Sequence, residues 1–252
     1  MRLYQQLLTE NDCYQQGRSI TPKGVMVHST GADNPNLCRY VAPDDGRLGR
    51  PSARHWNQSG VSACVHAFIG RLADGSVATY QTLPWTARGW HCGGKANGTH
   101  ISFEICEDGL DDPVYFKKVY REAVELTTYL CQKFGFDPLE DGVVLCHAEG
   151  HRRGWASNHA DVLHWFPRFG KDMDDFRRDV AEEMKEAEPV RYEDWLNCME
   201  RYRRELGEKD PTMPELVGDA ARLGITDGSR PRDFATREEC AVMARKAALR
   251  EK

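Results

Sequence analysis

No stretch of the 252-residue chain approaches the about 18–20 consecutive apolar residues that a membrane-spanning helix needs, so the sequence offers no spanning segment. Excess positive charge is also missing. Against 39 Asp+Glu there are 34 Lys+Arg, a net charge of −5, and the basic footprint of a phosphate-binding, nucleic-acid-recognising protein is absent. The nine cysteines include no C-x-x-C pair, which argues against a disulfide framework and against a cysteine-built zinc clip. They read instead as buried free thiols, small hydrophobes of the core. The opening MRLYQQLLTENDCYQQG lacks the apolar centre of a secretory signal, so synthesis in the cytoplasm without a signal peptide is expected. Histidine is missing from everything after His164.

What remains is a soluble globular composition, 40% hydrophobic and 29% charged, enough for one large domain or two modest ones. Charge density divides the chain. The last 72 residues hold 17 acidic and 14 basic side chains, whereas the first 180 hold 22 and 20. The boundary is expected near Pro189, giving domains at 1–188 and 189–252.

Short β-branched or apolar runs at 24–29, 63–70, 76–81, 101–107 and 142–147 predict five strands. Asp74-Gly75 between the second and third predicts a hairpin turn joining antiparallel strands. After Asp111-Asp112-Pro113, the spacing of Phe116, Val119, Ala123, Leu126, Leu130 and Phe134 lays one apolar stripe along a helix that ends at Gly135. Met173, Phe176, Val180 and Met184 mark another, closed by Pro189. The expected fold class is therefore α/β, a mixed central β-sheet flanked by helices, followed by a small all-helical domain. In that tail, Tyr192, Trp195, Leu196, Met199 and Leu206 mark one helix, 214–223 a second, and the capping box Thr236-Arg-Glu-Glu239 a third.

Three places carry chemistry. His28 ends an apolar strand; imidazole there is either a satisfied core histidine or a metal ligand held rigidly at a loop. His147 likewise ends an apolar run and opens a long polar loop reaching Asp161. Two strand-end histidines and one more His or Asp from that loop would leave a fourth zinc position open, the catalytic arrangement. A His147-x-x-x-His151 pair on one helical turn is the weaker alternative, because Gly150 intervenes and no Glu follows the first His. Glu104 lies between Phe103 and Ile105, either on a solvent face or buried, where desolvation would raise its pKa toward that of a general base.

These pieces, in order, resemble a known family. His28 in Val-Met-Val-His-Ser-Thr, His66 in Val-His-Ala-Phe-Ile-Gly, Trp90 and His91 in Arg-Gly-Trp-His-Cys-Gly, Glu104 in Ile-Ser-Phe-Glu-Ile, and Cys146-His147 with Asp161 are similar to zinc-dependent N-acetylmuramoyl-L-alanine amidases of the type 2 family. Phage endolysins and peptidoglycan recognition proteins are members, and the N-terminal domain looks particularly like amidases from prophages. The resemblance spans about residues 20–170. It implies one Zn²⁺ per chain held by His28, His147 and Asp161, with Glu104 acting on the zinc-activated water. His159 stands where many relatives place a catalytic lysine. It is read as an oxyanion donor, with third-ligand duty in place of Asp161 as the alternative. Trp90 and His91 match a segment bordering the substrate groove. Val65 stands where some relatives carry a tyrosine.

The implied activity is bacteriolytic hydrolysis of the amide between the lactyl group of N-acetylmuramic acid and L-alanine in peptidoglycan. A non-catalytic peptidoglycan-binding protein on the same fold and a cytoplasmic muropeptide-recycling amidase are the alternatives. The expected partner is bacterial peptidoglycan, reached after holin-type release, with neither nucleic acid nor membrane insertion. Residues 223–243 resemble part of an S-layer homology repeat, which implies wall attachment; docking on the first domain or homo-oligomerisation is the competing reading of the tail.

Overall fold

The computed structural model describes residues 1–186 and, beyond them, residues 218, 220–223, 225, 242, 243 and 245. Six strands, β1 (Leu3–Gln5), β2 (Gly24–Ser29), β3 (Ala67–Arg71), β4 (Val77–Gln81), β5 (His100–Ile105) and β6 (Val144–Cys146), form one mixed sheet in the order β1-β4-β3-β5-β2-β6. β2 runs parallel to both its neighbours, β5 and β6. β3 and β4 form the antiparallel hairpin expected around Asp74-Gly75. Among residues 1–186 four α-helices accompany the sheet: α1 (Asp12–Gln15), α2 (Pro113–Phe134), α3 (His147–Arg152) and α4 (Met173–Glu186).

One face of the sheet makes the main core. Val25 and Val27, Ala67 and Ile69, and Ile101, Phe103 and Ile105 pack with the α2 stripe of Phe116, Val119, Ala123, Leu126 and Leu130, and with Phe176 and Val180 of α4. Each fully buried side chain of this size contributes about 1.5–3 kcal/mol. The ends of α2 follow its sequence: Asp112 accepts from the backbone N–H groups of Val114 and Tyr115, and Gly135 closes the helix with φ of 71°. The opposite face is covered mainly by loops. There Met26 and Leu145 pack with Cys92 and Ala96, and Phe68 and Tyr80 with Leu37, Tyr40 and Leu48.

Two expectations need correction. β1 has no counterpart in the sequence reading, because three residues are too short for an alternating pattern to register. The polar loop expected from His147 begins instead as helix α3. Its first turn is fixed by Glu149, which accepts from the Cys146 backbone N–H at 3.0 Å and is gripped by both terminal nitrogens of Arg177 at 3.1 Å. Six of the seven described cysteines are buried, and all seven are free. Among the described residues no helix is long and apolar enough to cross a membrane.

The chain divides into two compact units, Met1–Ala187 and Glu188–Lys252. In the second, Gly218 and residues 220–222 are helical. The boundary at Pro189, the helix marked by Tyr192 to Leu206, the capping box at Thr236 and most of the S-layer-like segment lie outside the described residues.

Gly24 opens β2 where the β6 side comes closest: a Cβ there would meet the Val143 carbonyl oxygen at 2.2 Å. Gly24→Ala is therefore expected to destabilise the protein by about 3 kcal/mol in urea unfolding, because rigid backbone rather than a side chain would have to move.

Candidate metal centre

Alternation along β2 sets which way His28 faces. Val25 and Val27 face the helix-covered core, so Met26 and His28 point to the loop-covered face. Residue pairing then sets His28 beside Glu104 of β5, and Glu104 beside Phe68 of β3. β6 pairs with β2 as far as Cys146 opposite Val27, and His147 follows at the start of α3. Both histidines thus sit at the carboxyl ends of adjacent parallel strands, where α/β sheets open toward ligands.

Asp161 arrives from a single turn of 3-10 helix, Asp161–His164. Its backbone lies in the left-handed region at φ of 44°, a cost of about 1–3 kcal/mol that the surroundings must offset. They do so through Val162 and Trp165, both fully buried, and through His164 Nε2, 3.0 Å from Glu107 Oε1.

Three donor atoms converge. Asp161 Oδ2 lies 2.9 Å from His28 Nδ1 and 3.0 Å from His147 Nδ1, and the two Nδ1 atoms are 3.2 Å apart. Tetrahedral zinc with bonds of about 2.0–2.1 Å has ligand–ligand edges of about 3.3 Å, so this triangle matches one face of such a site. Its chemistry matches as well, two imidazole nitrogens and a carboxylate. Burial pushes the His28 imidazole below its ordinary pKa against the pull of Asp161, which favours the neutral ring a metal requires. Burial would raise the Asp161 carboxyl, but hydrogen bonds from His147 and His28 outweigh it and hold the group well below the usual carboxylate range. Among the described residues, His28, His147 and Asp161 are the group able to hold a metal ion.

Glu104 borders this cluster. Its Oε2 is sealed from solvent with no hydrogen-bond partner, and burial, reinforced by Asp161 and Glu107, pushes its pKa well above the ordinary value. His159 is exposed at the rim, its ring 4.7 Å from that of His147 and its Nδ1 3.1 Å from Ser157 Oγ; it lies outside the donor triangle. Trp90 lines a surface cavity of about 700 Å³ with Ser62, Arg88, Gly93, Gly94, Lys95 and Asn97. Its neighbour His91 turns inward, with Nδ1 3.0 Å from His28 Nε2.

The remaining histidines have other work. His66 accepts from the Ser102 backbone N–H at 3.0 Å and donates to the Ala87 carbonyl at 2.9 Å, a satisfied core histidine. His151 is exposed, with Nδ1 3.2 Å from the Ala156 carbonyl oxygen, so no His147–His151 pair forms. Sequence reasoning missed Ser157, whose Oγ lies 3.1 Å from His147 Nε2. A serine inside a polar loop carries no periodicity that would single it out.

Because the folded protein raises the pKa of Glu104, this residue favours folding below the ordinary carboxylate range and loses that contribution as pH rises through its shifted value. Glu104→Gln should therefore raise the Tm of the metal-free protein at pH 7–8, by about 2–4 °C for about 1 kcal/mol, with the gain shrinking toward pH 4. Thermal unfolding across that range measures it.

The sequence signature of the N-acetylmuramoyl-L-alanine amidase family matches residues 17–164. A mutant of PlyL superposes with a TM-score of 0.50 at 20% identity, over 72% of this chain and 99% of that one. The PlyG catalytic domain does so with a TM-score of 0.50 at 17% identity, over 73% and 96%. The Staphylococcus aureus hydrolase AmiA, in complex with its ligand, gives a TM-score of 0.49 at 18% identity, over 73% and 82%. At these identities the likeness to PlyL and PlyG concerns the fold, the mixed α/β sheet with flanking helices. A search of curated proteins returns no match. The family signature spans more than half of the chain, and the protein belongs to the N-acetylmuramoyl-L-alanine amidase family.

Proposed function

We propose that the protein is a zinc-dependent, endolysin-like peptidoglycan amidase that hydrolyses the bond between the lactyl group of N-acetylmuramic acid and L-alanine of the stem peptide. The observation that carries this reading is a buried, unpartnered carboxylate oxygen on Glu104 beside a triangle of metal-ligating atoms from His28, His147 and Asp161. A protein that only bound wall material would gain nothing from a desolvated carboxylate, which costs stability unless it is paired or used.

The residues divide the work as follows. His28, His147 and Asp161 would hold one Zn²⁺, which when bound supplies Lewis acidity toward an amide carbonyl and a water. Glu104 accepts the proton of the attacking water at its free Oε2 and returns it to the leaving amine of L-alanine. Its raised pKa suits both directions of transfer. His159, exposed beside His147, is placed to donate a hydrogen bond to the oxyanion. The cavity beside Trp90 is where glycan or stem peptide would lie. We assign the chemistry to residues 1–188 and treat 189–252 as a separate module. Holin-type release from the cytoplasm is the route we propose to the wall.

Mass spectrometry of purified peptidoglycan after digestion tests this. Stem peptides with a free N-terminal L-alanine should appear with no new reducing sugar ends, a chelator should stop their release, and Glu104→Gln should slow it by about 10²–10⁴-fold. Wall material left unchanged by zinc-loaded protein would sink the lytic reading and favour a binding module.

A further inference from the structure

The donor triangle uses only one nitrogen of each ligand histidine. If Nδ1 of His28 and of His147 face the metal, each Nε2 carries a hydrogen that needs an acceptor, and that acceptor fixes the tautomer and the ring plane. For His28 the acceptor is His91 Nδ1 at 3.0 Å; for His147 it is Ser157 Oγ at 3.1 Å. These two acceptors come from different loops, yet both are tied to one turn. The backbone N–H groups of His91 and Cys92 both donate to Asn97 Oδ1 at 2.9 Å. Ser157 donates its backbone N–H to the Cys92 carbonyl at 2.8 Å, and its hydroxyl reaches the same oxygen at 3.1 Å.

Two further features show that this turn is built to hold these positions. Gly94 sits so tightly against the 155–157 segment that a Cβ would meet the Trp155 carbonyl oxygen at 2.2 Å; at Gly89 a Cβ would come 3.0 Å from His91 Cδ2. His91 also gives up a hydrogen bond to stand where it does. Accepting at Nδ1 places its own hydrogen on Nε2, an atom buried with no partner. Leaving a donor unpaired costs about 1–3 kcal/mol, which marks the contact to His28 as the reason for the ring's placement.

We propose that His91 and Ser157 are positioning residues that set the ring orientation of the two histidine ligands, and that the 91–97 turn carries both. The proposal rests on the metal-centre reading above and assigns His91 an inward task in place of a substrate contact. His159 is linked to the same hydroxyl, its Nδ1 lying 3.1 Å from Ser157 Oγ, so the turn also reaches the residue at the rim.

The test is Zn²⁺ affinity of the full chain by chelator competition, with the absorption spectrum of the Co²⁺-loaded protein as a second readout. His91→Phe keeps the ring volume and removes the acceptor; His91→Asn keeps an acceptor near the Nδ1 position. Ser157→Ala removes the second acceptor. His91→Phe and Ser157→Ala should each weaken Zn²⁺ binding about 10–100-fold and alter the Co²⁺ spectrum. His91→Asn should recover most of the affinity. Wild-type affinity and spectrum in His91→Phe would overturn the proposal, and if peptidoglycan cleavage were lost at the same time His91 would be a substrate contact. Equal loss in His91→Phe and His91→Asn, with lowered metal-free Tm in both, would also overturn it, making the ring mere packing. A wild-type chain that takes up no Zn²⁺ would instead remove the metal centre itself, a result distinct from equal affinities across the set.

Discussion

The position of β2 in the sheet is the constraint on which the site depends. Held parallel between β5 and β6, it places His28 beside Glu104 on one side and brings the end of β6, and so His147, alongside on the other. A slip of one residue in either pairing would turn His28 into the helix-covered core and leave Val27 or Ser29 at the site, because side chains alternate strictly along a strand. The apolar face of the same strands prevents such a slip. Val25 and Val27 are fully buried against α2 and α4, so the core that stabilises the fold also fixes the register that assembles the donor atoms.

Features that oppose stability gather around this point. Glu104 holds a carboxylate oxygen without a partner, His91 an unpaired ring nitrogen, and Asp161 a left-handed backbone. Each runs against local preference, and proteins retain such features where function needs them. The supports are correspondingly firm. Arg177 clamps Glu149 under α3, Trp165 anchors the turn that carries Asp161, and Asn97 gathers the backbone of His91 and Cys92. These supports lie behind the donor atoms, whereas His159 is exposed and Trp90 lines a surface cavity.

Much of this was legible in the sequence, for reasons that differ by element. The α2 stripe and its caps were readable because periodicity, Asp112-Pro113 and Gly135 all point the same way. β2, β5 and the hairpin of β3 and β4 were readable as apolar runs bounded by turn residues. β1 was not, since three residues carry no pattern. Nor was α3, whose start depends on a side-chain clasp between Glu149 and Arg177 that lie 28 positions apart. In the site, His28 and His147 stood out by residue type at strand ends, Glu104 as a carboxylate inside an apolar strand, and Asp161 by its place in the polar loop and the resemblance to the amidases. The competition between Asp161 and His159 could not be resolved from spacing; in the structure the turn that swings Asp161 inward brings its carboxylate to His28 and His147, and His159 lies outside that triangle. Ser157 and the inward turn of His91 were invisible, because hydrogen-bond acceptors behind a ligand leave no mark on composition or period. Glu104 was open between solvent and core until the sheet order put Phe68 and His28 on either side of it.

In the proposed centre His28 Nδ1, His147 Nδ1 and Asp161 Oδ2 hold a zinc ion, with the nearby cysteines left as core thiols. Zinc-edge X-ray absorption of the loaded protein tests it most directly. The expected spectrum shows only nitrogen and oxygen neighbours at about 2.0–2.1 Å, with the scattering signature of two imidazoles. A sulfur neighbour at about 2.3 Å, or a single imidazole, would contradict it.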